Sequence, residues 1–175
     1  MKILVCGLTG LGSGCLPFFK RPIALVFDEL RRRPIGGDIT FVQRVWNRHK
    51  DVSDFIRDHA HEYERIVLLG HSYGASAATR VIEAVDPIQI DLFICEDQGL
   101  DSFFITDVPV RENCRVVREF HVVYERIRFT SAFNNSPLNK HHFADSGKLP
   151  GGHTSTFTKP AMVKRIAGLI EEVAK

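Results

Sequence analysis

The sequence lacks the features that mark several specialised classes of protein. It has no apolar run near the roughly 20 residues that a membrane span needs. Its 23 Lys and Arg residues nearly balance 21 Asp and Glu residues, giving a net charge of +2. This balance argues against binding to nucleic acid or a membrane surface through bulk charge. At 175 residues, we expect one domain over 1–175, because two full domains would be cramped.

Cysteine is also scarce. The four cysteines, Cys6, Cys15, Cys95 and Cys114, have no spacing typical of a metal site, and two lie in apolar runs. We therefore expect buried thiols in a reducing compartment. Glycines at positions 7, 10, 12 and 14 interrupt the apolar N-terminus, which disfavours a secretory signal and predicts a cytoplasmic location.

Strand and helix patterns alternate along the chain. Short apolar runs predict strands at 3–6, 39–46, 66–69, 90–95 and 115–124, and helical periodicity predicts helices from Pro22, over 51–63, from Ala75 and from Pro160. This order predicts an α/β fold, a three-layer α/β/α sandwich with a mostly parallel sheet. The Asn-, Pro- and Gly-rich segment 126–152 is long for a loop, and loops of this length are usually functional or contain short elements, with a possible edge strand at 126–133.

A Gly-x-Ser-x-Gly pattern lies between the clearest strand and a helix of small residues. Its residues are Gly70, His71, Ser72, Tyr73 and Gly74. In this context the serine is expected on a strained, tight turn, with its hydroxyl above the strand ends and at a helix N-terminus. The flanking glycines are expected because a Cβ at either position would collide with the strand or the helix. A plain glycine turn is the alternative.

These residues, in this position, resemble the α/β-hydrolase superfamily, and in particular its small lipase- and esterase-like members. The resemblance covers most of the chain by the order of its elements, although only the serine turn is a specific motif. It implies a compact fold without a cap domain and a Ser–acid–His triad in that chain order. It also implies that the histidine lies in the loop before the last helix.

His153 occupies that place, just after two glycines and before the final helix. A serine hydroxyl needs such an imidazole to accept its proton at neutral pH. His141 and His142 are rivals. His71 lies inside the turn, and His49, His59 and His61 are expected on helix surface.

The acid of the triad is expected to be Asp97, which follows the strand after the serine turn. Open parallel sheets gather their sites at the carboxyl ends of strands. Its role would be to orient the imidazole and to stabilise the imidazolium. Asp101 and Glu125 remain alternatives, and a turn or helix-cap role for Asp97 is also open.

The oxyanion is expected to be stabilised by two backbone N–H groups. One belongs to Tyr73, and the other to Leu8 or Thr9 in a predicted loop at 7–10. Related enzymes often have His-Gly in this loop, and this sequence does not.

The same glycines also allow a different class of function. The stretch from Gly7 to Gly14, with Asp28 about 20 residues on, is similar to a dinucleotide-binding turn. The spacing fails, because Cys15 occupies the place of the third glycine. The stretch 23–30 also has helical periodicity.

The sequence therefore favours a serine hydrolase that cleaves a carboxylic ester. The expected substrate is a short ester or one exposed on a larger molecule, because little chain is available for a cap. No cofactor, metal, nucleic acid or membrane span is indicated. An acyltransferase or thioesterase with the same triad and a non-catalytic dinucleotide-binding module are the alternatives, and the oligomeric state stays open.

Overall fold

The strands of this protein form a single parallel sheet in the computed structural model, which describes residues 1–10, 22–96, 114–115, 117–123, 143–150 and 160–175. The strands are β1 (Lys2–Thr9), β2 (Asp38–Val45), β3 (Arg65–His71), β4 (Leu92–Glu96), β5 (Val117–Val123) and β6 (Phe143–Pro150). Their order in the sheet is β2-β1-β3-β4-β5-β6, and each neighbouring pair is parallel.

Helices cover both faces of this sheet. They are α1 (Pro22–Arg32), α2 (His49–His59), α3 (Tyr73–Val85) and α4 (Pro160–Val173), with short 3-10 turns at Trp46–Arg48 and Ala60–Glu62. Side chains of α2 and α3 pack on one face of the sheet, and those of α1 and α4 pack on the other. The predicted three-layer α/β/α architecture with a parallel sheet is therefore confirmed.

The centre of the sheet is buried on both faces. Along β1, Leu4 and Cys6 face α2 and α3, whereas Ile3 and Val5 face α1 and α4. Strand β3 has the same alternation, and its residues 66–69 are all buried. Burying one aliphatic side chain of this size stabilises a fold by about 1.5–3 kcal/mol. Continuous apolar runs are expected for strands with helices on both sides, and this is why the sequence pattern located them.

A buried carboxylate connects several strands at the end of the sheet where the strands begin. Asp91, immediately before β4, accepts the N–H of Ile66 at 3.0 Å through Oδ2. Its Oδ1 lies 3.3 Å from Nη1 of Arg115 and 3.9 Å from Nε of Arg65. The backbone of Asp91 also donates to Ile66 O at 2.9 Å. These contacts connect the starts of β3, β4 and the segment that leads into β5.

One expectation about a loop is wrong. Strand β1 continues to Thr9, so the loop predicted from Gly7 begins only at Gly10. The segment 126–152 contains one such short element, β6, whose sequence has Asp, Ser, Gly, Lys and Pro and no apolar alternation that would locate it in advance. Pairing with β5 along its length overrides this weak propensity. The edge strand suggested at 126–133 lies outside the described residues.

The expectation of buried thiols is confirmed for three of the four cysteines. Cys6, Cys95 and Cys114 have almost no exposed surface. Cys15 lies outside the described residues. None of the helices in the described part of the chain has the length and hydrophobicity that a membrane span requires.

Candidate active site

Ser72 is the single residue between β3 and α3. Its backbone has φ 57° and ψ −128°, and it is the only non-glycine residue with positive φ in the described ranges. Such a conformation costs of the order of 1–3 kcal/mol and persists only where the surroundings enforce it. It is the conformation expected of a serine on a nucleophile elbow. The side chain makes no capping hydrogen bond to α3, and the residue is 7% exposed.

The two glycines beside Ser72 allow the turn to be this tight. A Cβ on Gly70 would overlap the Cα of Ala75, and a Cβ on Gly74 would overlap the carbonyl oxygen of Leu8. Both obstacles are backbone atoms of packed elements, so no side-chain movement could relieve them. The glycines of the motif are therefore required by the close approach of α3 to β3 and β1.

Gly10 lies against the side chain of Ser72. A Cβ built on Gly10 would stand 2.6 Å from the Cβ of Ser72 and 2.9 Å from its Oγ. The main chain that follows β1 thus passes directly beside the hydroxyl. Sequence reasoning missed this residue, because glycines at 7, 10, 12 and 14 look alike and only the register of β1 against β3 distinguishes them.

The two other residues proposed for the oxyanion site lie inside β1. Leu8 pairs with Gly70, and Thr9 follows it at the level of the serine turn. Thr9 is buried, and its Oγ1 donates to the carbonyl oxygen of Arg44 at 3.4 Å. This bond joins the end of β1 to the end of β2.

Tyr73 is the first residue of α3. The first N–H groups of a helix have no intrahelical acceptor, so a donor at this position points out of the helix N-terminus. The half-buried Tyr73 ring packs against Trp46, with ring centroids 5.7 Å apart. The N–H of Ala75 donates to Ser72 O at 2.9 Å, which fixes the start of the helix.

Because the sheet is parallel, the carboxyl ends of all its strands lie at the same end of the sheet. Strand β4 ends at Glu96, which pairs with His71, the residue before Ser72. Asp97 is the next residue in sequence. Asp97, Asp101, Glu125, His141, His142 and His153 all lie outside the described residues. Their assignment as acid and base remains a prediction.

Four of the other histidines are placed where the sequence suggested. His49 lies at the start of α2, with Nδ1 3.2 Å from Trp46 O. His59 Nδ1 is 2.7 Å from Glu62 Oε1, and this hydrogen bond lowers the pKa of the Glu62 carboxyl. His61 is exposed. His71 is buried at the end of β3.

The buried cysteine of β1 is unsuited to nucleophilic chemistry. Burial raises the pKa of the Cys6 thiol to about 12, although the positive charge of Arg44 acts in the opposite direction. The reactive form of cysteine is the thiolate, so this side chain is an inert part of the core at neutral pH.

The geometry gives the dinucleotide-binding alternative no support. Gly7 lies within β1, where it makes room for Ile23 of α1. Asp28 lies on α1, and its carboxylate pairs with Arg31 at 2.8 Å. A ribose-binding acid would instead stand at the end of the second strand.

Comparison with known proteins supports the fold. No protein-family model and no curated protein matches the sequence. Among solved structures, a protein from Xanthomonas campestris pv. campestris classed as an α/β-superfamily hydrolase is similar, with a TM-score of 0.63 and 15% identity over 97% of this chain and 96% of that one. The esterase domain of a Rhodothermus marinus protein has a TM-score of 0.59 and 12% identity, over 99% and 85%.

A third similar structure is the RedJ thioesterase of the prodiginine biosynthetic pathway in Streptomyces coelicolor. Its TM-score is 0.60, with 14% identity over 97% of this chain and 89% of the thioesterase. The chain therefore has the α/β-hydrolase fold.

Proposed function

We propose that this protein is a serine hydrolase that cleaves a carboxylic ester, with Ser72 as the nucleophile. The observation that carries the proposal is the backbone conformation of Ser72. Its φ is positive, on a tight turn that Gly70, Gly74 and Gly10 make possible. A strained serine between a buried strand and a helix N-terminus has a known chemical use, which is to present its hydroxyl to an acyl group.

The first half of the reaction forms an acyl-enzyme. Ser72 Oγ attacks the ester carbonyl carbon while His153 accepts the hydroxyl proton, and Asp97 orients the imidazole and stabilises its charged form. The bond to the alcohol then breaks, and His153 returns the proton to the leaving oxygen. The assignments of His153 and Asp97 rest on chain order.

Backbone donors would stabilise the negative charge that develops on the carbonyl oxygen. The N–H of Tyr73 at the start of α3 is one, and the main chain of Leu8, Thr9 and Gly10 supplies the second. The contact of Gly10 with the Ser72 side chain favours the Gly10 end of this segment. Removal of one such donor costs about 2.7–4 kcal/mol of transition-state stabilisation in other enzymes.

The second half releases the acid. A water molecule gives its proton to His153 and attacks the acyl carbon, and the proton returns to Ser72 Oγ as the ester bond to the enzyme breaks. No step needs a cofactor. The substrate would be a short ester or one exposed on a larger molecule, and the enzyme would act in the cytoplasm.

A thioesterase with the same groups is the second candidate, because the RedJ thioesterase has the same fold over nearly the whole of this chain. The two reactions differ only in the leaving group. Rates on an ester and a thioester of the same acyl chain would rank them.

The experiment that tests the proposal is steady-state hydrolysis of p-nitrophenyl acetate and butyrate. Ser72→Ala is expected to lower kcat/KM at least about a thousand-fold, and His153→Ala by a similar factor. Asp97→Asn should lower it less. The matched control is Ser53→Ala, since Ser53 is also buried but lies in α2 and donates its hydroxyl to His49 O at 3.2 Å. Unchanged activity in Ser72→Ala, with a folded protein, would refute the proposal.

A further inference from the structure

Strand β2 forms one edge of the sheet. In the described part of the chain it pairs only with β1, in unbroken register from Lys2 and Asp38 to Thr9 and Val45. It is eight residues long and contains no Gly, Pro or Lys. Monomeric proteins commonly protect an edge by shortening it, by placing charged residues (especially Lys), Pro or a bulge there, or by covering it with another element. Within the described residues, β2 lacks Lys, Pro and a bulge, and its only charged residues, Asp38 and Arg44, lie near its two ends.

The backbone direction of β2 follows from two hydrogen bonds. The N–H of Asp38 donates to Met1 O at 3.0 Å, and the carbonyl of Arg44 accepts from Thr9 Oγ1 at 3.4 Å. Both of these residues therefore turn their backbone groups toward β1. Backbone direction alternates along a strand, so Ile39, Phe41 and Gln43 present their N–H and C=O groups to the outside.

The outward-facing N–H and C=O groups of β2 can pair with the same groups of β2 in a second copy of the chain. If two β2 strands pair antiparallel around a two-fold axis at Phe41, then Phe41 lies opposite Phe41, and Ile39 lies opposite Gln43. Each of these directly opposite pairs exchanges two N–H···O bonds, which gives about six across the interface. The half-buried side chains of Ile39 and Phe41 would also be covered.

The same register is complementary in charge. It places Asp38 opposite Arg44 at both ends of the interface. The two side chains share a sheet face, because they are separated by an even number of residues. Asp38 is exposed and has no ion pair among the described residues. Opposite charges directly across an antiparallel pair are stabilising, and like charges are destabilising.

The contacts that Arg44 makes within one chain can be replaced when a second β2 strand pairs with the first. Its Nη1 donates to the carbonyl of Gln43 at 2.8 Å, and its Nε is 3.9 Å from Asp51 Oδ2. The Gln43 carbonyl is one of the outward groups. When a second strand arrives, Ile39 N–H of the other copy replaces the guanidinium at this carbonyl, and the guanidinium becomes available to Asp38.

We propose that the protein forms a two-fold symmetric dimer through antiparallel pairing of β2 with β2, centred on Phe41. The two sheets then join into one continuous sheet. The proposal does not depend on the hydrolase activity.

The test is sedimentation velocity on the full chain over a wide concentration series. Wild type is expected to show a monomer–dimer equilibrium. Gln43→Pro should be monomeric, because it removes an N–H that faces away from β1 and leaves the β1–β2 ladder intact. Gln43→Ala, which keeps that N–H, is the matched control and should still dimerise.

A charge exchange tests the register even if Gln43→Pro fails to fold. Asp38→Arg and Arg44→Asp should each weaken dimerisation at least about ten-fold, and the double variant should restore it to within about three-fold of wild type. Circular dichroism and thermal melting verify that each variant is folded. A wild type that is monomeric at every concentration would overturn the proposal, as would a dimer that neither charge variant weakens.

Discussion

Two buried polar residues at opposite ends of the central strands have very different surroundings. Asp91, where the strands begin, is 8% exposed, and Ser72, where they end, is 7% exposed. Asp91 accepts a backbone N–H and contacts two arginines. Ser72 makes no capping bond with its side chain and has positive φ. Burial alone therefore does not distinguish a structural polar group from a candidate catalytic one.

The difference between them is how each group is held. Asp91 is fixed by hydrogen bonds and charge, so the group itself contributes to stability. Ser72 is fixed by close backbone contacts at Gly70, Gly74 and Gly10, and its own conformation is costly. In the case of Ser72, neighbouring backbone holds the residue in place, although its conformation lowers the stability of the fold. A polar group held in this way can take part in chemistry.

The largest expected effect on stability comes from the contacts that hold Ser72. Gly74→Ala should destabilise the protein by about 3 kcal/mol or more, because the new Cβ overlaps the carbonyl oxygen of Leu8. Gly36→Ala is the matched control, since a Cβ there meets nothing within 4 Å. Urea denaturation measures both. Equal stability of the two variants would mean that α3 does not approach β1 so closely.

At the other end of the sheet, Asp91→Ala should cost about 2–3 kcal/mol, because the N–H of Ile66 and the guanidinium of Arg115 lose their acceptor and Arg65 loses a nearby negative charge. Asp58→Ala, at an exposed position on α2, should change stability by less than about 0.5 kcal/mol. Thermal and urea unfolding provide the comparison. A loss at Asp91 as small as that at Asp58 would show that its network is not structural.

A third buried polar group, the thiol of Cys6, should make stability depend on pH. Burial raises its folded pKa to about 12 from 9.0, so between these values the folded state keeps a proton that the unfolded state has lost. Stability should then fall as pH rises above 9, by about 1.4 kcal/mol per pH unit from this group. The measurement is the difference in unfolding free energy between wild type and Cys6→Ala across this range. A constant difference would contradict the shift.

The smallest expected effect on stability is an increase. Ser72→Gly should stabilise the protein by about 1 kcal/mol, because glycine adopts positive φ without a Cβ penalty. The same change in a regular helix, Ser53→Gly, should destabilise by about 0.5–1 kcal/mol or more. Calorimetric unfolding of both variants tests the sign. A Ser72→Gly variant less stable than wild type would indicate that the serine is not strained.

The sequence is most informative where local pattern and tertiary structure agree. The apolar run of β3, the motif from Gly70 to Gly74 and the small residues of α3 are enough to predict the strand, the turn and the helix. Each of these features depends on residues close together in the chain. The burial of Cys6 and Cys95 is predictable for the same reason, since both lie in apolar runs.

Features that depend on distant pairing are harder to predict. Strand β6 has an unfavourable composition, and it is defined by its register against β5. The position of Gly10 beside Ser72 depends on how far β1 extends past the level of Gly70. The roles of Asp97 and His153 also depend on contacts through space, and chain order is their present support.

The most direct test of the central claim is labelling with a fluorophosphonate probe, followed by peptide mass mapping. Such a reagent phosphonylates a serine only where a base activates it. The account predicts a single adduct on Ser72 that is absent in Ser72→Ala and greatly reduced in His153→Ala. A folded wild-type protein that stays unlabelled, or one labelled equally well after loss of Ser72, would contradict it.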